Sequence, residues 1–332
     1  MADVQQKNVV YLFGAGATQA EIDNIDESLV SENVKDEINL LMREVSKRVF
    51  KVVQQDGDYM ESIDSVSRPE GGSNVELFVT LLENNDALIR NSSAKKKADL
   101  IRQRVKEDIT GILTSERMAN FTLHKALFEL TKLEDFAKDE KVTGILSLNY
   151  DCVLDEAYKE ILGPEPDYGF PVREPLKGLR LLKLHGSFGW PDIPIIPLGA
   201  GKNYLQLPYN YLWGQALELL KECALLRVIG CALSPNDFQL IDLLFKSHLM
   251  RGTPFQIEII NRQSAYTAFH ANYDFFRDIT SPEEVETRYH TDGISRSGDN
   301  PFKGWLKAVA NGLPENQVEA TKYLKNLILA TV

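Results

Sequence analysis

Residues Val9 to Phe13 form an apolar, β-branched and aromatic run of strand length, and the run ends abruptly at Gly14-Ala15-Gly16. Ala17 to Glu21 then reads as the first turn of a helix. A strand, a turn of small residues and a helix start are what a phosphate needs, with N–H groups pointing outward and no Cβ in the way. A full dinucleotide fingerprint has a third glycine, and Gln19 stands in its place here. The stretch alone therefore leaves two readings open, a phosphate-binding turn and a plain tight turn.

The rest of the chain repeats the pattern. Further strands are expected at Thr143–Leu148, Leu179–Leu184, Leu225–Cys231 and Phe255–Ile260, each giving way to polar residues. Between the first two strands the chain reads as helical. Ile38, Leu41, Met42, Val45 and Val49 make one stripe, Leu100, Ile101, Val105, Ile109 and Ile112 a second, and Leu123, Leu127 and Leu130 a third. Asn74 is a candidate cap for a helix through Leu77, Leu81 and Leu82. A crossover needs only about a dozen residues, so most of this segment is expected to be an inserted helical subdomain. Later caps are read at Asn149 or Asp151 and at Ser234, with Pro235 in the first helical position. The tail from Ala265 onward reads as helices interrupted by a polar loop.

Strands alternating with helices predict an α/β fold, a Rossmann-like open parallel sheet with an inserted helical subdomain and a helical C-terminal region. The boundaries read as 1–30 with 140–280 for the core, 31–139 for the insertion and 281–332 for the C-terminal region. In such sheets ligands sit beyond the carboxyl ends of the strands. Gly14, Asn149, Asp151, His185, Gly230 and Asn261 all fall at that edge.

Composition removes several functions. A formal net charge of −11 argues against a free-standing nucleic-acid binder, and the basic cluster Lys95-Lys96-Lys97 with Arg102 and Arg104 reads as solvated helix surface. No apolar stretch approaches the roughly 18 residues of a membrane span, and the first residues lack a signal-peptide pattern. Three scattered cysteines, Cys152, Cys223 and Cys231, fit reduced cytoplasmic thiols and exclude a four-cysteine zinc ribbon. No metal-ligand spacing emerges.

His185 follows an apolar strand and precedes Gly186, so it is expected to stand exposed at the sheet edge. It serves there as a general base or as a loop histidine held by hydrogen bonds. The remaining histidines, 124, 248, 270 and 290, are assigned to structure. Asn149 either holds a ribose hydroxyl or a water, or closes the strand as a turn residue. Asp151 either caps the next helix or orients the ligand.

Gly14-Ala15-Gly16-Ala17-Thr18, Leu148-Asn149-Tyr150-Asp151, Lys183-Leu184-His185-Gly186-Ser187, Ile229-Gly230-Cys231-Ala232-Leu233 and Ile259-Ile260-Asn261-Arg262 occur in the order of sirtuin motifs. Over 8–30 and 140–275 the chain resembles a sirtuin-like domain of the bacterial defence type, and Asn74 to Glu83 is similar to a segment common in those proteins. The resemblance implies an NAD+ site. Gly14, Ala15, Gly16, Ala17 and Thr18 would line the phosphates and ribose, and Asn149 and Asp151 would hold the nicotinamide-ribose region. His185 would be the catalytic histidine, with Gly230 and Asn261 facing the adenosine half. The four-cysteine zinc module and the Gly-Ile-Pro-Asp-Phe-Arg type loop of sirtuin deacylases are absent, and Cys231-Ala232 replaces the family's Thr-Ser.

The resemblance thus implies an NAD+ glycohydrolase that cleaves NAD+ to nicotinamide and ADP-ribose in abortive-infection defence. Control is expected from homo-oligomer assembly or from a separately encoded partner such as a HerA-type hexameric ATPase. Two alternatives stay open: a non-catalytic subunit that binds NAD+ or ADP-ribose and signals through assembly, and a protein deacylase without zinc.

Overall fold

A computed structural model describes residues 6–24, 40–53, 75, 78–79, 92–113, 121–133, 140–170, 178–190, 207–233, 237–251, 255–261, 285–289, 300–313 and 318–329. The first strand, β1 (Lys7–Phe13), carries five consecutive residues, Val9 to Phe13, with no exposed surface. A strand apolar on both faces must be covered on both, which places it inside a parallel sheet. Helix α1 (Ala15–Asp23) follows directly. Next come α2 (Met42–Val53), α3 (Ser92–Leu113) and α4 (Thr122–Lys132), and only then β2 (Glu140–Ser147).

The chain continues through α5 (Val153–Leu162), β3 (Leu181–Lys183), α6 (Tyr209–Glu222), β4 (Leu225–Ile229), α7 (Phe238–Leu249) and β5 (Phe255–Ile260). It closes with β6 (Val285–Tyr289), α8 (Pro301–Asn311) and α9 (Val318–Leu329). The six strands form one sheet in the order β3-β2-β1-β4-β5-β6, every pairing parallel. The progression of strands reverses between β1 and β4, the position where open α/β sheets leave a crevice at their carboxyl edge.

β6 corrects the expectation that the chain beyond residue 265 adds only helices. Val-Glu-Thr-Arg-Tyr alternates with a period of two, as a strand does, but its charged residues hide the pattern. It pairs with β5 at the sheet's edge, where charge discourages further pairing.

Alternate residues of the strands enter two separate cores. Val10, Leu12, Leu146, Val228 and Ile257 pack with Leu212, Leu220 and Leu240 of α6 and α7. Tyr11, Phe13, Ile145 and Ile229 face the other way, against Leu123 and Leu127 of α4, Tyr158 of α5, Trp305 of α8 and Ile328 of α9. Each such large side chain contributes about 1.5–3 kcal/mol when removed from water. A third cluster joins Val45 and Val49 of α2 to Ile101, Val105 and Ile109 of α3, and it reaches Ile22 of α1 and Tyr150 beyond β2. The stripes expected on α3 and α4 are therefore the buried ones. Ile38, Asn74, Leu77, Leu81, Leu82, Ser234 and Pro235 lie outside the described residues, and α7 opens at Phe238 with Asp237 at its N-cap.

Two charged networks pin the sheet. Arg227 of β4 reaches Glu140 with two hydrogen bonds of 3.0 Å, Tyr11 Oη at 3.1 Å, and its neighbour Glu258 on β5. Lys183 of β3, fully buried, donates to the Asp151 carbonyl and to Asp155 Oδ2 at 2.7 Å. Removing one member of such a set would leave a buried charge unpaired.

Candidate functional site

Three glycines lock the ends of β1 and β4 together. The Gly14 N–H donates to Ile229 O at 3.0 Å, and the Gly16 N–H donates to Gly230 O at 2.9 Å. Gly230 has φ +64°, and a Cβ there would sit 2.0 Å from the Ala17 nitrogen and 2.4 Å from the Gly16 carbonyl carbon. A Cβ on Gly14 or Gly16 would stand 2.8 Å from Gly230 O. Close approach of backbones therefore explains these glycines. The expectation of outward-pointing donors is corrected accordingly: the N–H groups of Gly14, Gly16 and Ala17 are bonded within the protein, Ala17 to Gly14 O at 2.9 Å. Ala15 is the exposed residue of the turn.

Asn149, half-buried just beyond β2, bridges back to this turn. Its Nδ2 donates to Gly14 O at 3.0 Å and to Thr18 Oγ1 at 3.0 Å. The carbonyl of Gly14 can only accept, so it fixes which end of the amide faces it. Both amide hydrogens are thereby engaged, and Asn149 offers a ligand its Oδ1, an acceptor. Such a group orients a hydroxyl or a water.

Thr18 and Asp151 support Asn149 from behind. The buried Thr18 hydroxyl accepts from Asn149 and donates to Asp151 Oδ2 at 3.0 Å. The N-cap of α5 is Cys152, which corrects the expected cap at Asn149 or Asp151; Asp151, one residue earlier, accepts the Val153 N–H on Oδ1 at 3.1 Å. With its two carboxylate oxygens held this way, Asp151 orients Thr18 and, through it, Asn149. Lys183 and Asp155 extend the network, and Tyr168 Oη donates to Asp155 Oδ1 at 2.8 Å. The sequence does carry a signal for this set: a lysine inside an apolar strand requires a buried partner.

His185 is 4% exposed, which corrects the expectation that it stands open at the sheet edge. Its ring neighbours are Tyr150, 5.9 Å away at 32°, and Trp213, 6.4 Å away at 29°. Nε2 is 3.7 Å from Asp237 Oδ1, ion-pair distance for a protonated imidazole. Asp237 belongs to the site and escaped the sequence reading, because its partner lies on another strand's loop. Asn261 is buried, and its Nδ2 donates to Cys231 O at 2.9 Å, tying the end of β5 to that of β4. His124 is structural as expected: its Nδ1 meets Glu21 Oε1 at 2.6 Å, and Glu21 also accepts the N–H groups of Leu123 and His124. His270 and His290 lie outside the described residues.

Among the described residues no group of three His, Cys, Asp or Glu side chains is placed to hold a metal ion, and no helix is long and apolar enough to cross a membrane. The thiols are held protonated. Burial pushes Cys223 up to about 11 and Cys231 up to about 12, and it raises Cys152 as well. At pH 8 a thiol reagent is expected to modify half-buried Cys152 first and the other two only in denaturant, as peptide mapping would show. The two buried thiols keep protons that the unfolded chain begins to lose near its ordinary value of 9.0. Their contribution to stability is therefore complete below pH 9 and falls as the pH rises from there toward 12.

Comparison of the chain with protein-family models and with curated proteins returned no match.

Proposed function

We propose that the protein is a sirtuin-like NAD+ glycohydrolase that cleaves NAD+ to nicotinamide and ADP-ribose. The observation that carries the reading is the Asp151–Thr18–Asn149 relay, which leaves one amide oxygen for a ligand at the carboxyl edge of the sheet, where the strand order reverses. In the proposed reaction the C1′–nitrogen bond of the nicotinamide ribose breaks and nicotinamide departs with the electron pair. A water oxygen then bonds to C1′. Asn149 Oδ1 orients the water or the ribose hydroxyl, and His185 takes the water's proton, with Asp237 stabilising the imidazolium. In this reading the cofactor lies against Ala15, at the exposed N-terminus of α1, with Gly230 and Asn261 toward its adenosine half.

We further propose that residues 31–139 are a helical insertion on a Rossmann-like core, in a cytoplasmic protein acting in abortive-infection defence. Unrestrained NAD+ loss is lethal, so activity is gated by homo-oligomer assembly or by a separate partner such as a HerA-type ATPase. The test is nicotinamide release by purified wild-type protein across a range of concentrations, beside Asn149→Ala. Loss of an orienting group of this kind is expected to lower turnover by about 10²-fold or more. Wild-type and variant proteins releasing nicotinamide at equal rates would reject the reading. The 4% exposure of His185 favours a second reading, a subunit that binds NAD+ or ADP-ribose without cleaving it. Saturable NAD+ binding by wild type with no nicotinamide released at any concentration would select it.

A further inference from the structure

Four rings are linked by successive contacts near the carboxyl ends of β2 and β3. Trp213 on α6 lies 6.4 Å from His185, His185 5.9 Å from Tyr150, and Tyr150 5.7 Å from Phe188. Trp213 and His185 are stacked at 29° and Tyr150 and Phe188 at 25°, while the His185 and Tyr150 rings are tilted by 32°. The far end of the set meets helix α3, where Lys106 Nζ sits 5.8 Å from the centre of the Phe188 ring.

The two rings flanking His185 are each anchored by something other than the imidazole. Trp213 Nε1 donates to Leu184 O at 3.1 Å, fixing the indole against the residue just before His185. Tyr150 packs into the α2–α3 cluster, and its carbonyl accepts the Phe188 N–H at 2.8 Å, joining the β2 and β3 loops. Behind His185, the Gly186 N–H closes a turn onto Lys183 O at 3.0 Å, with Gly186 at φ +89°. An imidazole needs a defined ring plane to take a proton from one direction. Aromatic neighbours packed against the ring restrict that plane.

We propose that Tyr150 and Trp213 are positioning residues that hold the His185 ring in its working plane. This rests on His185 being the base of the proposed reaction. The alternative role for the stack is core filling, which needs bulk at these positions but not a ring.

The experiment compares Tyr150→Leu and Tyr150→Phe with wild type in two readouts. The first is the carbon-bound ring-proton resonances of His185, assigned by their loss in His185→Gln. In wild type and Tyr150→Phe these protons are expected to carry the shift of neighbouring ring currents, and in Tyr150→Leu to lose much of it. The second readout is nicotinamide release. Misplacing a reacting group by a fraction of an ångström lowers kcat by about 10–100-fold, so Tyr150→Leu is expected to lose that much with KM within about threefold, and Tyr150→Phe to recover most of it. Trp213→Leu and Trp213→Phe should repeat the pattern.

Unaltered His185 resonances in Tyr150→Leu would overturn the proposal, as would an unaltered kcat in a background where His185→Ala is inactive. Equal losses in Tyr150→Phe and Tyr150→Leu would also overturn it. If His185→Ala turns over NAD+ like wild type, the glycohydrolase reading fails instead. The part of the shift owed to Trp213, which Tyr150→Leu leaves in place, then still reports whether the His185 ring has turned.

Discussion

Nicotinamide release is expected to fall by about 10²–10⁴-fold when His185 is replaced by alanine, the usual loss on removing a general base. Asp237, the charged neighbour, is ill suited to substitute for it. A carboxylate is ordinarily a much weaker base than an imidazole, and deleting the imidazole leaves a gap beside Tyr150, Trp213 and Asp237. That gap also costs stability, because a buried ring replaced by alanine loses contacts on both faces. His185→Gln, which keeps more of the volume but has no group that titrates near neutrality, separates the two effects. It should melt closer to wild type than His185→Ala does and be just as slow. An His185→Gln protein with wild-type turnover would show that the proton goes elsewhere.

Gly230→Val is expected to be the most damaging single change to the fold outside the large core residues. The position has φ +64°, which a β-branched residue adopts only with strain of about 1–3 kcal/mol. The new Cβ would also stand 2.0 Å from the Ala17 nitrogen and 2.4 Å from the Gly16 carbonyl carbon, both main-chain atoms. Moving them breaks the Gly16 N–H bond to Gly230 O and parts β4 from the start of α1. Together these give a loss of about 3–5 kcal/mol, within reach of the entire stability of an ordinary domain. Gly214 in α6 provides the contrast, since an added Cβ meets no atom within 4 Å there. Gly214→Ala should gain about 0.5–1 kcal/mol by its better helix propensity. Urea unfolding of the two variants beside wild type reads both signs, and a Gly230→Val protein with an unchanged midpoint would refute the interlock.

Five of the six strands among the described residues, and the residues at their carboxyl ends, were readable, because parallel strands buried on both faces are short apolar runs that stop at polar loops. Asn149, Asp151 and His185 stood out for that reason. Contacts between distant segments left weaker traces. The interior charges Arg227 and Glu258 each look anomalous in an apolar strand, and only the β4–β5 register shows that they face one another. The ring contacts of His185 left no trace. Tyr150 and Trp213 each look like an ordinary core aromatic, and nothing local says that one histidine will meet both. The inward turning of the Gly16 N–H was hidden similarly, since Gly-x-Gly specifies close approach without naming what approaches.

The strand order has a consequence in time. β1 is made first, yet its neighbours are β2, whose Ser147 pairs with Phe13, and β4, whose Ile229 pairs with the same residue. During synthesis the Val9–Phe13 segment emerges long before either partner exists, and it is uncharged, apolar and rich in β-formers. Contacts this far apart in the chain close slowly and expose such segments to wrong partners meanwhile. The nascent chain must therefore carry the strand wholly unpaired until Ser147 is made, and with one edge open until Ile229 is made. The α1–α4 region, made next, is the first part able to cover one of that strand's faces.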